Sequence, residues 1–382
     1  MRELELHIPG RVFSSHSALT NLNDTCFSGG RRILLVTNDS LQGGNALKMI
    51  RETADDQGID LIIEPEVNPF STDEVVDKLR EIARISYVEG VIGFGDVTAL
   101  SVARAVAVLH KTVLNTTDLS SDTSTEAPSL PYVEIPAAYG SPFFFNGGMV
   151  LSDRYDKTAR FIYLKKFTPD AFIQDPALLK DFSRKYRIAS LLETLLLAIE
   201  GYFSSDSTYF SDTLLLRGIG LTIDTLPGVL ERPDDGEVVF KAQQAAFFTG
   251  YGHAMSSPGW GTASAYILGS LLRVPASIVA TVLLPYVLEY GLKVCPDKVA
   301  RMGNMLGENL KGLSVVAAAD RVVESIRASL GVEQLPGRLS ELGVQDTHLS
   351  QTVSKVMDVP FINSLPGPVG PPELFGYLEN AL

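Results

Sequence analysis

Cysteine and positive charge are both scarce in this sequence. Cysteine occurs twice, at Cys26 and Cys295, far apart and outside any metal-binding spacing, so no disulfide framework is expected and a reducing cytoplasm is the expected compartment. Lysine and arginine number 32 against 45 acidic residues, which gives a net charge of −13. That balance repels a phosphate backbone or an anionic bilayer, so we expect no nucleic-acid partner and no membrane partner.

The sequence also lacks an apolar run long enough to span a bilayer. The first ten residues, "MRELELHIPG", have no signal-peptide core. The longest apolar run, "VPASIVATVLLPYVL" at 274–288, follows Arg273 and is shorter than a membrane span. It predicts a buried helix.

The first 175 residues alternate between strand-like and helix-like segments. Four short apolar runs predict strands: "RRILLVTN" (31–38), "DLIIEP" (60–65), "EGVIGFG" (89–95) and "PYVEIP" (131–136). Segments with helical spacing lie between them; one carries Gly58 as a C-cap, and another begins at a capping box of Ser71 and Glu74. This alternation predicts βαβ units and a parallel, Rossmann-like sheet.

After Asp175-Pro176 the segments become long, apolar and mostly helical. We therefore predict two domains, an α/β nucleotide-binding-type domain over 1–175 and an all-helical domain over 176–382. Within the second, "ERPDDGE" (231–237) is expected to be a surface loop between helices. The segment "LPGPVGPPE" (365–373) is expected to be a proline-rich arm.

A glycine-rich bend, "GFGDVTALSVAR" at 93–104, follows the third predicted strand. Such a bend commonly places a phosphate at a helix N-terminus. The third glycine of the common dinucleotide fingerprint is replaced by Thr98, and Asp96 brings a carboxylate. Asp96 either faces a phosphate or caps the helix through the amide of Thr98, and the capping interpretation is slightly favoured.

The order of these motifs resembles the iron-containing alcohol dehydrogenase superfamily, which also includes dehydroquinate synthase. The bend corresponds to the family's GGGSxxDxAK element, Asn68-Pro69 to its asparagine–proline pair, and "IPAAYGSPFF" (135–144) to its IPTTAGTGSE loop. The helical half contributes "ETLLLAIE" (193–200), "GHAMSSPGWG" (252–261) and "VPASIVATVLLPYVLEY" (274–290). The resemblance implies the family's two-domain fold, with NAD or NADP as cofactor, and a homodimer.

The resemblance places the nucleotide against one set of residues near the strand ends. Asn38 stands where family members often have an acidic residue at the end of the first strand. Without that acid, a phosphate on the adenosine ribose is excluded less strongly, which is a mild indication of NADP. The threonine pair of the family loop is replaced by Ala137-Ala138. The implied cofactor-binding residues are Asn38, Asn68, Pro69, Gly93, Gly95, Asp96, Thr98, Pro136, Ala137 and Ala138.

The family's metal is held by one aspartate and three histidines, and these are replaced here. The corresponding residues are Glu193, Leu197, Ser264 (or Thr262, depending on a gap) and Ala276. A divalent ion needs several converging nitrogen and oxygen ligands, so we expect no metal. The chain has five histidines, and of these His253 corresponds to a packing position.

The polar residues left near the implied site are the candidates for catalysis. Glu193 is a candidate for proton exchange with a substrate oxygen, and Tyr139 or Tyr266 for hydrogen bonding to a carbonyl. The candidate catalytic residues are Glu193, Tyr139, Tyr266 and Ser264. Arg104 and Arg273 are weaker candidates for anion contacts. Three aromatics, Phe143 to Phe145, are expected to make the site apolar.

Three functions follow from these residues. The first is a metal-independent NAD(P)-linked oxidoreductase acting on a small aldehyde, ketone or alcohol. The second is a repurposed enzyme that catalyses elimination, cyclisation or isomerisation in an apolar site. The third is a non-catalytic descendant that binds a ligand or a partner protein. The resemblance places the first slightly ahead.

Overall fold

A computed structural model describes residues 10–25, 27, 32–67, 73–119, 129–164, 167–330 and 335–382. Six strands form one parallel sheet in the order β1-β8-β5-β4-β2-β3. They are β1 (Arg11–Ser14), β2 (Arg32–Asn38), β3 (Asp60–Val67), β4 (Gly90–Gly95), β5 (Tyr132–Pro136) and β8 (Ala171–Gln174). Strands β6 (Gly148–Ser152) and β7 (Ala159–Tyr163) form a separate antiparallel hairpin.

Both faces of the parallel sheet are covered, which explains why its strands are apolar throughout rather than alternating. Along β2, Ile33 and Leu35 face one core together with α1 (Asn45–Asp56). Leu34 and Val36 face the other core, together with α2 (Asp73–Ile85) and α3 (Val97–Leu109). Gly58 follows α1 with φ +71°, as predicted for its C-cap. The four predicted strands and the Rossmann-like fold class are confirmed.

The described residues from Arg184 onward form helices and their connections, and α4 (Arg184–Phe203) lies at their centre, packed against four other helices. Seventeen of the 20 residues of α4 are buried, so its apolar side chains surround the helix instead of forming one stripe. The other helices are α5 (Tyr209–Glu231), α6 (Gly236–His253), α7 (Trp260–Leu272), α8 (Ala276–Val294), α9 (Pro296–Met302), α10 (Val315–Ser329), α11 (Asp346–Met357) and α12 (Pro371–Asn380).

Contacts divide the chain into two units. The sheet unit contains the described part of 7–138 together with Phe145–Ser183. The helical unit contains Tyr139–Phe144 and Arg184–Leu382. The short segment after β5 therefore belongs with the helices, whereas the sequence places one boundary after residue 175.

Two expectations about the helical segments need adjustment. The predicted arm at 365–373 already contains the start of α12 at Pro371. The apolar run at 274–288 is part of a helix that continues to Val294. Among the described residues, Tyr209–Glu231 and Ala276–Val294 are long and apolar enough to span a membrane by composition, although 44% and 61% of their apolar windows are buried in the fold. A core helix of a globular protein meets the same test.

Two strands and the hairpin were not predicted from the sequence. Strands β1 and β8 have only four residues each, which leaves little pattern to recognise. The predicted capping box of Ser71 and Glu74 is a separate matter, because Ser71 lies outside the described residues. The predicted loop between two helices is confirmed but is shorter than 231–237, since α5 ends at Glu231 and α6 begins at Gly236.

Candidate functional site

The carboxyl ends of β2, β3 and β4 are joined by one buried side chain, Asn38. Its Oδ1 accepts a hydrogen bond from the amide of Asp96 at 2.9 Å, and its Nδ2 donates to the carbonyl of Val67 at 3.4 Å. Gly95 lies beside it with φ +146°, and a Cβ there would lie 2.1 Å from Asn38 Oδ1. The Asn38 amide is thus engaged by the backbone, and its predicted contact with a ribose stays a prediction.

Asp96 caps α3, as favoured from the sequence. Its Oδ1 accepts hydrogen bonds from the amides of Thr98 at 2.9 Å and Ala99 at 3.0 Å. Burial raises the pKa of Asp96, while the hydrogen bonds from Asn38 and from these two amides oppose that rise. The first amides of α3, which would bind a phosphate in a glycine-rich bend, therefore already have a carboxylate acceptor.

Gly93 serves the packing of α3 on the sheet. It lies inside β4, and a Cβ at this position would approach Tyr132 Oη to 2.8 Å and Ala103 Cβ to 2.9 Å. Only a residue without a side chain lets the helix approach the strand this closely. Its predicted cofactor role stays a prediction, since these contacts are with β5 and α3 and explain the glycine by packing.

The remaining residues of the predicted nucleotide set lie at the end of β5 or outside the described part of the chain. Pro136 pairs with Gly95, and the amide of Ala137 donates to the Gly95 carbonyl at 2.8 Å. Ala137 and Ala138 are buried methyl groups in place of hydroxyls. Asn68 and Pro69 lie outside the described residues.

Arg104 is a structural residue and not an anion contact on the surface. Its guanidinium is 1% exposed, forms an ion pair with Glu134 Oε2 at 2.6 Å, and donates to the carbonyls of Asn146 and Gly148. The sequence interpretation missed Glu134, whose burial in an apolar strand makes the pair possible. Arg273 is exposed at the end of α7.

In the helical unit, the structure brings Glu193 and Tyr266 together. Tyr266 Oη on α7 donates a hydrogen bond to Glu193 Oε1 on α4 at 2.8 Å, and both side chains are buried. Phe143 packs edge-on against the Tyr266 ring, with centroids 6.1 Å apart. Two of the four predicted catalytic residues therefore form one buried acid–hydroxyl pair under an aromatic ring.

The other two predicted catalytic residues have different surroundings. The amide of Tyr139 donates to Ser190 Oγ at 2.9 Å, and its ring lies near Arg187 and Asp234. Burial raises the pKa of Tyr139 to about 12. Ser264 is fully buried two residues before Tyr266, which is about 200° around the helix, and its hydroxyl has no partner within the described part of the chain.

A buried carboxylate that the sequence interpretation overlooked holds the start of α7. Glu200 accepts hydrogen bonds from the amides of Gly259 (3.1 Å), Gly261 (2.7 Å) and Thr262 (3.1 Å), and from Thr262 Oγ1 at 2.5 Å. The signal was present, because Glu200 ends the "ETLLLAIE" motif that carries the resemblance. Glu200 positions α7, and with it Tyr266.

The donor set at the positions of the family's metal ligands does not fit a transition metal. Leu197 and Ala276 offer no donor atom, and Glu193 accepts the Tyr266 hydroxyl. The third position offers a single neutral hydroxyl, from Ser264 or from Thr262, and that of Thr262 is engaged by Glu200. Across the described residues, no three His, Cys, Asp or Glu side chains converge as metal ligands. His253 is buried beside the Pro142 carbonyl, and burial lowers its pKa to about 4.

Two family descriptions together match most of the chain. Residues 9–176 match "Iron-containing alcohol dehydrogenase", and residues 187–368 match "Fe-containing alcohol dehydrogenase family, C-terminal". The chain belongs to the iron-containing alcohol dehydrogenase family. This confirms the resemblance stated from the motifs, and places Glu193 and Tyr266 in the C-terminal of the two matched regions.

Similar proteins in this family share a fifth to a quarter of the residues. The chain is 22% identical over 354 residues to the NAD-dependent methanol dehydrogenase of Bacillus methanolicus, covering 93% of each protein. It is 24% identical over 355 residues to the 1,3-propanediol dehydrogenase of Citrobacter freundii, covering 90% of each. These relatives match nearly the whole chain.

Solved structures show the same fold at low identity. A crystal structure of a 1,3-propanediol oxidoreductase superposes with a TM-score of 0.93 at 22% identity, covering 100% of both chains. The sulfoacetaldehyde reductase of Bifidobacterium kashiwanohense, solved in complex with NAD+, superposes with a TM-score of 0.84 at 18% identity, covering 100% of this chain and 99% of the other. At these identities the likeness shows the fold alone.

Proposed function

We propose that this chain is an NAD(P)-linked oxidoreductase that interconverts a small alcohol with its aldehyde or ketone without a bound metal ion. The hydrogen bond between Tyr266 Oη and Glu193 Oε1 carries the proposal, because it pairs a hydroxyl with the acidic residue that corresponds to a metal ligand in the family. The NAD-dependent relative supports the cofactor class, and the alcohol and diol dehydrogenases among the relatives support the substrate class.

The pair supplies the proton transfer of the reaction. In the oxidation direction, the substrate hydroxyl gives its proton to Tyr266 Oη as the tyrosine proton passes to Glu193 Oε1. The carboxyl thus ends with one added proton, and the tyrosine is unchanged. In the reverse direction, Tyr266 donates a proton to the developing alkoxide and recovers one from Glu193. When bound, NAD(P) accepts or supplies the hydride.

Burial of the pair favours this chemistry. Tyr266 and Glu193 are shielded from solvent, and the Phe143 ring covers the tyrosine, so water competes little for the hydrogen bond. A polarising hydroxyl in a low-dielectric site interacts more strongly with a carbonyl oxygen than it does in water. Tyr139 and Ser264 are the remaining candidates for substrate contact, and they have no part in this proton transfer.

Metal analysis of the purified protein tests the metal-independent part. We expect less than about a tenth of an equivalent of iron or zinc after purification without chelators, because a divalent ion needs several converging donors. Activity toward short alcohols should also survive dialysis against a chelator. A full equivalent of either metal, or loss of activity on chelation, would show that the enzyme uses a metal ion and that the metal-independent part of the proposal is wrong.

Fluorescence titration with NADH and NADPH tests the cofactor part. Binding of either dinucleotide supports an oxidoreductase, and a preference for NADPH would support the interpretation of Asn38. The non-catalytic alternative predicts that neither binds. The repurposed-enzyme alternative calls for an apolar site lined by Phe143 to Phe145. All three phenylalanines are buried, and Phe145 packs on Phe172, so these rings do not line an open surface.

The remaining parts of the proposal concern partners and compartment. The net charge of −13 supports a small-molecule substrate and the absence of nucleic-acid and membrane partners. The scarcity of cysteine supports a cytoplasmic location. A homodimer is proposed from the family, and native mass spectrometry should then find twice the chain mass of 41.4 kDa.

A further inference from the structure

The amides at the start of α3 are already hydrogen bonded to the chain's own side chains. Asp96 Oδ1 accepts from the amides of Thr98 and Ala99, and the amide of Asp96 itself donates to Asn38 Oδ1. A phosphate at the N-terminus of a helix binds through such free amides. Three of the four amides from residue 96 to residue 99 therefore have acceptors before any ligand arrives.

Asp96 is held in this position from more than one direction. Asn38 connects it to the end of β3 through the Val67 carbonyl, and Gly95 leaves no room for a side chain between Asn38 and the bend. Asp39, the exposed residue that directly follows Asn38, bears a second negative charge, which helps to raise the pKa of Asp96. A diphosphate at this bend would meet the Asp96 carboxylate rather than an open set of donors.

A carboxylate and a phosphate compete here for the same hydrogen-bond donors. Each bears negative charge, so they repel each other at contact distance, and the repulsion grows where solvent is partly excluded. Coenzyme can bind its pyrophosphate at the bend only after the Asp96 side chain rotates away or is neutralised. That rotation breaks the N-cap of a 13-residue helix.

On the basis of the proposed function, we propose that Asp96 is an intramolecular competitor for the coenzyme phosphates, so that this chain gains little or no affinity from the pyrophosphate group. Affinity then comes mainly from the nucleoside part of the coenzyme. Adenosine and ADP should bind this chain about equally, whereas a phosphate ordinarily adds affinity at an open helix N-terminus.

Isothermal titration calorimetry on the full chain with adenosine, ADP and NADH tests the proposal. In the natural protein we expect the ADP and adenosine dissociation constants to agree within about threefold. Asp96→Gly frees the amides and should bind NADH at least about tenfold more tightly, with ADP then preferred over adenosine by a similar factor. Asp96→Asn keeps an N-cap without the charge, so its NADH affinity should lie between the two.

A matched control separates the loss of a helix cap from the loss of competition. Asp235 caps α6 through the amide of Glu237 at 3.0 Å, in the helical unit. Asp235 also forms an ion pair with Arg232, so Asp235→Gly and Asp235→Asn should lower the thermal midpoint and leave all three affinities unchanged. Thermal midpoints of every variant also establish that each protein is folded.

The outcomes distinguish this proposal from the proposed function. If the natural protein binds NADH and Asp96→Gly binds it equally or more weakly, Asp96 assists the phosphate and the competitor proposal is wrong, while the oxidoreductase remains. If neither the natural protein nor the folded Asp96 variants bind NADH, adenosine or ADP, both proposals are wrong. Tighter NADH binding by Asp96→Gly alone, with the Asp235 controls unchanged, supports both.

Discussion

At the scale of single residues, the pair of Glu193 and Tyr266 makes the most direct prediction. Tyr266→Phe removes the hydroxyl that donates to Glu193 and keeps the ring that Phe143 packs against. We expect kcat for alcohol oxidation to fall on the order of 10²- to 10⁴-fold, because general acid–base groups contribute factors of that size. NADH affinity should stay the same, since the hydroxyl is assigned to proton transfer only.

The same variant should also lower stability modestly. Loss of a buried hydrogen bond to a carboxyl group costs about 1 to 3 kcal/mol, measurable by urea unfolding.

Tyr202→Phe is the control for the kcat prediction, because Tyr202 is another buried tyrosine of the helical unit that lies outside the pair. Equal losses of kcat in Tyr202→Phe and Tyr266→Phe would show that the hydroxyl of Tyr266 has no special role.

Residue-scale prediction from the sequence succeeded where a signal was local and failed where the partner was distant. The Asp96 cap depends on amides two and three residues away, so the sequence alone could favour it. Arg104 was only a candidate anion contact in the sequence, because its actual partner Glu134 lies 30 residues away in an apolar strand. The sequence proposed four catalytic residues separately, and only the structure shows that two of them touch.

At the scale of secondary-structure elements, α7 depends on a carboxylate that belongs to another helix. Glu200 on α4 accepts three amide hydrogen bonds at the start of α7, where the N-cap residue Gly259 has no side chain to cap the helix. Glu200→Gln replaces one acceptor oxygen by a donor that faces other donors. We expect the free energy of unfolding to fall by about 3 kcal/mol, since buried donors lose charged acceptors.

Urea unfolding and amide hydrogen exchange check this prediction together. Exchange at Gly261 and Thr262 should accelerate in Glu200→Gln, because these amides lose their acceptor. Glu289→Gln is the control: Glu289 forms an exposed ion pair with Arg327, and such pairs contribute about 1 kcal/mol or less. A change below about 1 kcal/mol in Glu200→Gln would mean that the start of α7 is held mainly by packing.

Strands and helices could be predicted from the sequence where their apolar segments were long enough to stand out from the neighbouring residues. The strands β2 and β4 span seven and six residues with apolar side chains at most non-glycine positions, whereas β1 and β8 have four residues each and no distinctive pattern. The buried helix predicted at 274–288 is present, and α8 continues beyond the apolar run to Val294. The helix ends just before Cys295-Pro296, because the residue preceding a proline disfavours the helical conformation, and Pro296 begins α9.

At the scale of the whole molecule, the buried His253 predicts how stability changes with pH. Burial lowers its pKa from 6.5 to about 4, so the unfolded chain takes up this proton at a higher pH than the folded chain does. The stabilisation is therefore present above pH 6.5 and is lost as the pH falls toward about 4. The loss attributable to this residue amounts to about 3 kcal/mol at about 1.4 kcal/mol per pKa unit.

Urea unfolding at several pH values tests this prediction through a difference between proteins. His253→Gln should show a shallower fall in stability between neutral pH and pH 4 than the natural protein shows. Parallel curves for the natural protein and His253→Gln would place the acid sensitivity in other groups.

The path of the chain has a consequence for engineering and for recombination. Tyr139–Phe144 leaves the sheet unit, joins the helices and returns at Phe145, with the Tyr139 amide on Ser190 and Phe143 against Tyr266. A gene cut once, near residue 183, would separate this hexapeptide from the helices that it completes. A chimera with a relative should work only when 139–144 and the helices after residue 184 come from the same parent.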